Sequence, residues 1–149
     1  MKIKIEVDET IENDEIIIRC KELNNQVKKV QETLNNIISQ KEDILFYKDE
    51  KEYFFSIEKI LFFETEDNGI SAHTIDDCYR VKYKLYELEK ILPNFFVRIS
   101  KSTILNINHI YSISKNITGS SLVEFQNTYK KVYVSRYYYK ILKIKLEKR

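Results

Sequence analysis

The stretch Phe96-Val97-Arg98-Ile99-Ser100-Lys101-Ser102-Thr103-Ile104-Leu105-Asn106-Ile107-Asn108-His109-Ile110 decides how this chain folds. Residues 95–99 and 103–106 are apolar runs of strand length, rich in β-branched and aromatic side chains. The polar residues Arg98, Ser100, Lys101 and Ser102 break the run, so the pair reads as two short strands joined by a loop. The same rhythm continues outward. Downstream, residues 109–114, 122–125 and 131–134 read as strands, with turns at 116–120 and at Asn127-Thr128. Upstream, residues 44–47 and 53–57 flank the turn Lys48-Asp49-Glu50-Lys51. Residues 60–64 form a strongly apolar strand ending in Glu64. Asn68-Gly69 is the strongest hairpin signal, because both residues tolerate positive φ in a type I′ turn. Residues 70–75 return from it, Asp76-Asp77 turns again, and residues 78–81 follow as a strand.

Composition agrees with this reading. The 149 residues include 22 Ile, 11 Tyr and 8 Phe, against one Ala, two Gly and one Pro. Ala is the best helix former and β-branched and aromatic residues suit pleated surfaces, so a mainly β protein with few helices is expected. Three helices are legible by period. Leu23, Val27, Val30, Leu34 and Ile37 make one stripe over residues 22–39. Leu85, Leu88, Ile91 and Leu92 make a short helix stopped by Pro93. Ser135 caps a last helix over 136–146, with Tyr137, Ile141 and Ile144 on one side.

Before residue 40 the alternation of Ile3, Ile5 and Val7 with Lys4 and Glu6 predicts a strand, and Ile16-Ile17-Ile18 a second. With the first helix they make a small β-β-α segment over residues 1–40. The polar run Gln40-Lys41-Glu42-Asp43 marks the boundary with a second part, residues 44–149. The helical stripe either packs on its own two strands or forms a narrow seam for a second copy of the chain.

The length suits one domain with an appendage, and no stretch nears the ~18 apolar residues of a membrane span. The start, MKIKIEVDET, alternates charge with Ile, unlike a secretory signal. Cys20 and Cys78 stand far apart and are expected as two reduced, semi-buried thiols, which implies a cytoplasmic protein. Two Gly cannot build a phosphate-cradling loop. His73 and His109 are isolated in the sequence, so neither a metal site nor a cofactor is expected, and no catalytic site is expected to assemble. Glu64 reads as a functional carboxylate or as a hydrogen-bond acceptor at a strand end.

The net charge of +2 conceals an asymmetry. Residues 1–92 carry 14 Lys/Arg and 21 Asp/Glu, while residues 93–149 carry 11 Lys/Arg and 2 Asp/Glu. A basic half suits an anionic partner such as nucleic acid, or is simply an uneven solvated surface. The polar and basic residues gather in three loops: Glu66-Asp67-Asn68-Gly69, Arg98-Ile99-Ser100-Lys101-Ser102 and Val134-Ser135-Arg136. Lys101 and Arg136 can donate to guanine O6 and N7. Ser102 and Ser135 suit phosphates or cap turns.

The opening stretch resembles the F-x-R-x-H/S-R/K-S-x-I/V-V/L-N-x-x-x-I signature of LytTR DNA-binding domains. Ile60-Leu61-Phe62-Phe63-Glu64 is similar to their I-x-Y/F-F/I-E strand. The segment from Tyr83 through Leu85, Glu87, Leu88 and Glu89 to Leu92-Pro93 resembles their L-x-E-L-E-x-x-L-P helix. Val132-Tyr133-Val134-Ser135-Arg136-Tyr137-Tyr138 resembles their closing V-x-V-S-R-x-Y. The resemblance covers roughly residues 44–146.

It implies a bacterial transcription regulator with an elongated, nearly all-β domain whose inter-strand loops enter successive major grooves of double-stranded DNA. It implies dimers on paired direct repeats, a homodimer at least on DNA, and for stand-alone members a regulatory partner, often a membrane protein. It places base readers at Lys101, at Arg136 and near Asn68. Arg98, Ser100, Ser102, Lys115, Lys130, Lys131 and Ser135 are then candidates for phosphate contact or loop support. Two other readings stay open: an RNA or single-strand binder that stacks bases on tyrosines, and an interaction module that sequesters another regulator through the first helix.

Overall fold

The computed structural model describes residues 1–38, 43–117 and 119–148. The chain divides into two units, Met1–Gln40 and Lys41–Arg149. Residues 40–42 of the expected boundary, and Thr118 in the expected turn, lie outside the described residues.

The second unit is mainly β. Seven antiparallel strands form one sheet: β1 (Phe46–Lys48), β2 (Lys51–Tyr53), β3 (Phe62–Glu66), β4 (Gly69–His73), β5 (Cys78–Val81), β6 (Phe96–Arg98) and β7 (Thr103–Asn106), in the order β2-β1-β5-β4-β3-β7-β6. Three more make a second sheet: β8 (Ile110–Ser114), β9 (Ser121–Phe125) and β10 (Lys131–Val134), in the order β10-β9-β8. Helix α2 (Leu85–Ile91) links β5 to β6, and α3 (Arg136–Glu147) follows β10.

Side chains alternate between the faces of the large sheet. Phe63, Ile70, Ala72, Val81 and Ile104 turn one way and are covered by Leu85 and Leu88 of α2. Phe62, Val97 and Leu105 turn the other way and meet Val123, Phe125, Val132 and Val134 of the second sheet, with Leu142 of α3. The central strands are buried on both faces, and Thr103 to Asn106 are all buried. This is why the sequence shows continuous apolar runs there rather than clean alternation.

Two motif residues serve the fold. Asn106 is 1% exposed, and its amide donates to the Ile60 carbonyl at 3.0 Å while its oxygen accepts from the Asn108 N–H at 2.9 Å. His109 Nε2 lies 2.6 Å from the Glu58 carbonyl oxygen.

The tight turns differ from expectation. At Asp67-Asn68 neither residue has positive φ, and Gly69 takes it instead, at +124°. The geometry with two left-handed central residues sits at Asp49-Glu50, with φ of 50° and 64°, between β1 and β2. The register Glu66↔Gly69 makes Gly69 a strand residue, so it takes up the extra twist after the turn.

In the first unit, helix α1 (Asn25–Ile38) forms, and Asn24 Oδ1 caps it by accepting from the Val27 N–H at 3.0 Å. The two strands expected at residues 3–7 and 16–18 do not form, since residues 1–24 hold no helix or strand. They find no third strand to pair with, and an isolated two-stranded ribbon is marginal in water. Ile3, Ile5 and Val7 are exposed. Val27 is buried at the bottom of a shallow apolar groove that Ile16, Ile18, Leu23 and Leu34 help to line. Cys20 is exposed rather than half-buried, and both cysteines are free thiols. No helix among the described residues is long and apolar enough to cross a membrane.

Candidate nucleic-acid interface

Three loops separated by up to 70 residues of chain meet at one end of the second unit. The loop between β6 and β7 is their hub. The Ser135 N–H donates to the Ile99 carbonyl at 2.9 Å, and the Thr65 N–H donates to the Ser102 carbonyl at 2.8 Å. The start of α3 and the tip of the β3–β4 hairpin are thereby fixed to the 99–102 loop by backbone bonds.

Arg98 shapes that hub from inside. Its Nε donates to the Ser100 carbonyl at 2.6 Å, its Nη2 to the Lys101 carbonyl, and its Nη1 to the Glu89 carboxylate of α2. Three side chains of the loop, Ser100, Lys101 and Ser102, then remain outside. Ser100 Oγ accepts from the Ser102 N–H at 3.2 Å, and the two hydroxyls lie 3.3 Å apart. Lys101 is exposed, and its ammonium has no partner among the described residues.

Ser135 caps α3 by accepting from the Tyr138 N–H at 3.3 Å. Arg136 is the first helical residue, exposed, with its guanidinium also unpartnered among the described residues. Asp67 and Asn68 stand exposed at the hairpin tip, where Arg80 Nη2 donates to Glu66 Oε2 at 3.3 Å. Lys115 follows β8 at the same end and lies 5.4 Å from the Tyr139 ring centroid.

Lys130 and Lys131 stand elsewhere. Lys131 begins β10 and Lys130 precedes it, at the end remote from Ser135, a strand length of about 13 Å away. Lys130 Nζ donates to the Asp77 carbonyl, and only Lys131 is exposed. Of the ten candidates, eight are therefore gathered at one end and two are not.

Sequence reasoning missed a second polar cluster, on the face of β3, β4 and β5 that carries Phe62. His73 Nε2 lies 3.8 Å from Cys78 Sγ, 3.9 Å from Glu66 Oε1 and 3.8 Å from Glu64 Oε2. Burial pushes the His73 pKa down to about 4, aided by the nearby Lys130 ammonium. Burial also pushes up the Cys78 thiol, and burial with the neighbouring Glu66 pushes up the Glu64 carboxyl. Cys78 lies five residues from His73, a spacing that by itself marks no metal site. The signal was the turn Asp76-Asp77, which folds one strand onto the other and pairs His73 with Cys78.

A family model described as the LytTr DNA-binding domain matches residues 50–147. The chain belongs to that family. Its fold is similar to a solved LytTr DNA-binding domain of a putative methyl-accepting/DNA response regulator from Bacillus cereus. The match has a TM-score of 0.64 at 24% identity and covers 70% of this chain and 97% of that one. Along its length the chain is similar to proteins named as uncharacterized HTH-type transcriptional regulators of Staphylococcus aureus. It is 26% identical to that of strain NCTC 8325 and 27% identical to that of strain bovine RF122, each match covering 98% of both chains. In this chain α2 and α3 are separated by five strands, so no helix-turn-helix pair joins them.

Proposed function

We propose that this chain is a sequence-specific regulator of transcription that binds double-stranded DNA by loops and catalyses no reaction. The observation that carries the proposal is the joining of three polar loops at one end by backbone bonds, with Lys101 and Arg136 exposed on it and without a partner among the described residues. Among the described residues neither cation serves the fold, which leaves both available to a ligand. Membership of a DNA-binding family and the likeness to proteins named as transcriptional regulators support the same reading.

In this reading Lys101 and Arg136 enter the major groove and read bases, with Asn68 at the hairpin tip as a third reader. A loop clamped by its own backbone loses little entropy on binding, so more of the contact energy goes into affinity. Arg98 acts through the loop that it holds. Ser100, Ser102 and Ser135 offer hydroxyls to phosphates, and Lys115 neutralises one. Lys130 serves the fold, and Lys131 contacts a phosphate only where the duplex extends along β10.

Assembly belongs to the proposal too. The first unit leaves Ile3, Ile5, Val7, Leu23, Ile37 and Ile38 exposed, more apolar surface than an isolated segment gains by showing to water. We assign it to a second copy of the chain, giving a homodimer that presents two reading ends to paired direct repeats. A regulatory partner at the membrane would act through the same segment. Selection of bound fragments from random duplex DNA tests the function. Enrichment of one repeated motif is expected; equal recovery of all sequences, or preference for single strands or RNA, contradicts it.

A further inference from the structure

The Glu64, Glu66, His73 and Cys78 cluster lies outside the proposed reading residues, and the DNA reading does not require it. Its donor set is unusual for packing alone. A thiol, an imidazole and two carboxylates converge on a half-buried sheet face, where side chains of the same size without charge would cost less. The ligand atoms of Glu66, His73 and Cys78 all lie within 4.8 Å of one another.

The separations point to one kind of occupant. Zn–S bonds of about 2.3 Å and Zn–N and Zn–O bonds of about 2.0–2.2 Å in a tetrahedron place ligand atoms roughly 3.3–3.7 Å apart. The observed spacings from His73 Nε2 are 3.8, 3.9 and 3.8 Å, so closure about His73 takes only a few tenths of an ångström, and the pair Glu66–Cys78, within 4.8 Å, closes by up to about 1 Å. Mixed sulfur, nitrogen and oxygen donors select a borderline transition ion over Mg²⁺ or Ca²⁺, which take oxygen.

The surroundings are already arranged for it. His73 is stacked on Phe62, with centroids 4.3 Å apart and planes at 15°, which fixes the direction of Nε2. Arg80 holds Glu66 Oε2 and leaves Oε1 facing His73. The Ser71 hydroxyl is buried and donates to Glu66 Oε1 at 3.0 Å, an outer hydrogen bond that the carboxylate keeps when it ligates, while the contact of the same hydroxyl with His73 Nε2, at 3.1 Å, gives way to the ion. Two carboxylates and a thiolate supply three negative charges, which a divalent ion and the adjacent Lys130 ammonium balance.

We propose that Glu66, His73 and Cys78, completed by Glu64, form a binding site for a divalent transition ion of the zinc class. Binding releases the Cys78 thiol proton to solvent and changes no oxidation state. The ion joins β3, β4 and β5 on the face of the hairpin that carries Asn68, near the end of β4 away from the tip, and so ties the hairpin to its neighbour strand.

The test is titration of the full chain, reduced and freed of metal, with Co²⁺ alone, followed by displacement with Zn²⁺. One saturable site per chain is expected, with a thiolate-to-cobalt charge-transfer band and the strong visible bands of tetrahedral cobalt, all erased by Zn²⁺. Cys20→Ser should keep the spectrum and Cys78→Ser should lose the charge-transfer band. Ser71→Ala should weaken binding about 10–100-fold, the usual cost of an outer-shell loss. Glu66→Gln, at an exposed position, should weaken it at least as much, and it decides the matter if Cys78→Ser fails to fold by circular dichroism. No charge-transfer band, a band that follows Cys20, or unchanged affinity in Glu66→Gln would overturn the proposal. None of these readouts involves DNA, so the outcome is separate from that of the DNA reading.

Discussion

Ser135 and Ile99 are joined by a backbone hydrogen bond of 2.9 Å, N–H to carbonyl, although 36 residues of chain separate them. This bond sets the distance between the helix start that presents Arg136 and the loop that presents Lys101. The Ser135 side chain has a different task, capping Tyr138. The two roles can be separated. Ser135→Ala removes the cap and should cost about 0.5–2 kcal/mol in denaturant unfolding. Ser135→Asp keeps a cap and suits the helix dipole, so stability should stay near that of the native chain. Its negative charge, set beside the proposed phosphate path, should nevertheless weaken DNA binding. Native-like affinity in a stable Ser135→Asp variant would place the DNA elsewhere.

Arg98 is predicted to act indirectly. Its guanidinium holds two carbonyls of the 99–102 loop and Glu89. Arg98→Lys keeps the charge but has no planar fork, so it should lose about 1–3 kcal/mol of stability. Affinity for the preferred site should fall while the slope of log affinity against log salt stays constant, because no phosphate contact is lost. A slope reduced by a full unit would make Arg98 a phosphate ligand.

Lys115 and Lys131 offer the matching contrast. Lys115 lies at the proposed reading end and Lys131 a strand length away from it. Lys115→Ala should weaken selected and random duplex alike and reduce the salt slope by about one unit. Lys131→Ala should change the slope less. The reverse order would mean that the duplex lies along the far end of β10.

Much of this was legible beforehand, and the reasons are physical. β5, β7 and β10 have the expected bounds, because short strands between strong turn residues leave little freedom. The three polar loops were legible as breaks in apolar runs. Their meeting was not, since it depends on the backbone bonds of Ser135 and Thr65, which carry no side-chain signature. The pairing of Arg98 with Glu89 was hidden for a different reason: it depends on how α2 packs beside β6, although both residues lie within recognised motifs. The first 24 residues misled, because alternation of Ile3, Ile5 and Val7 states a preference for strand but does not supply a partner. The His73–Cys78 cluster was invisible because strand pairing, not sequence spacing, assembles it.

The exposed apolar residues of the first unit predict self-association. At micromolar concentration the chain should sediment as a dimer. Val30 lies half-buried on α1 in the stripe with Val27 and Leu34. Val30→Glu should shift the chain to monomer while leaving binding to a single half-site intact. A native chain that sediments as a monomer at all accessible concentrations would confine dimers to DNA.

The central claim is that Lys101 and Arg136 read bases. The measurement that tests it most directly is the affinity of Arg136→Ala and Lys101→Ala for the selected site and for random duplex, at one salt concentration, with melting curves to show that both are folded. A bidentate contact to guanine is worth about 1–3 kcal/mol of discrimination. Each variant should lose that much on the selected site and little on random duplex, and each should relax preference at a different base position. Loss in equal proportion on both DNAs would contradict the account and move specificity to Asn68 or to DNA shape.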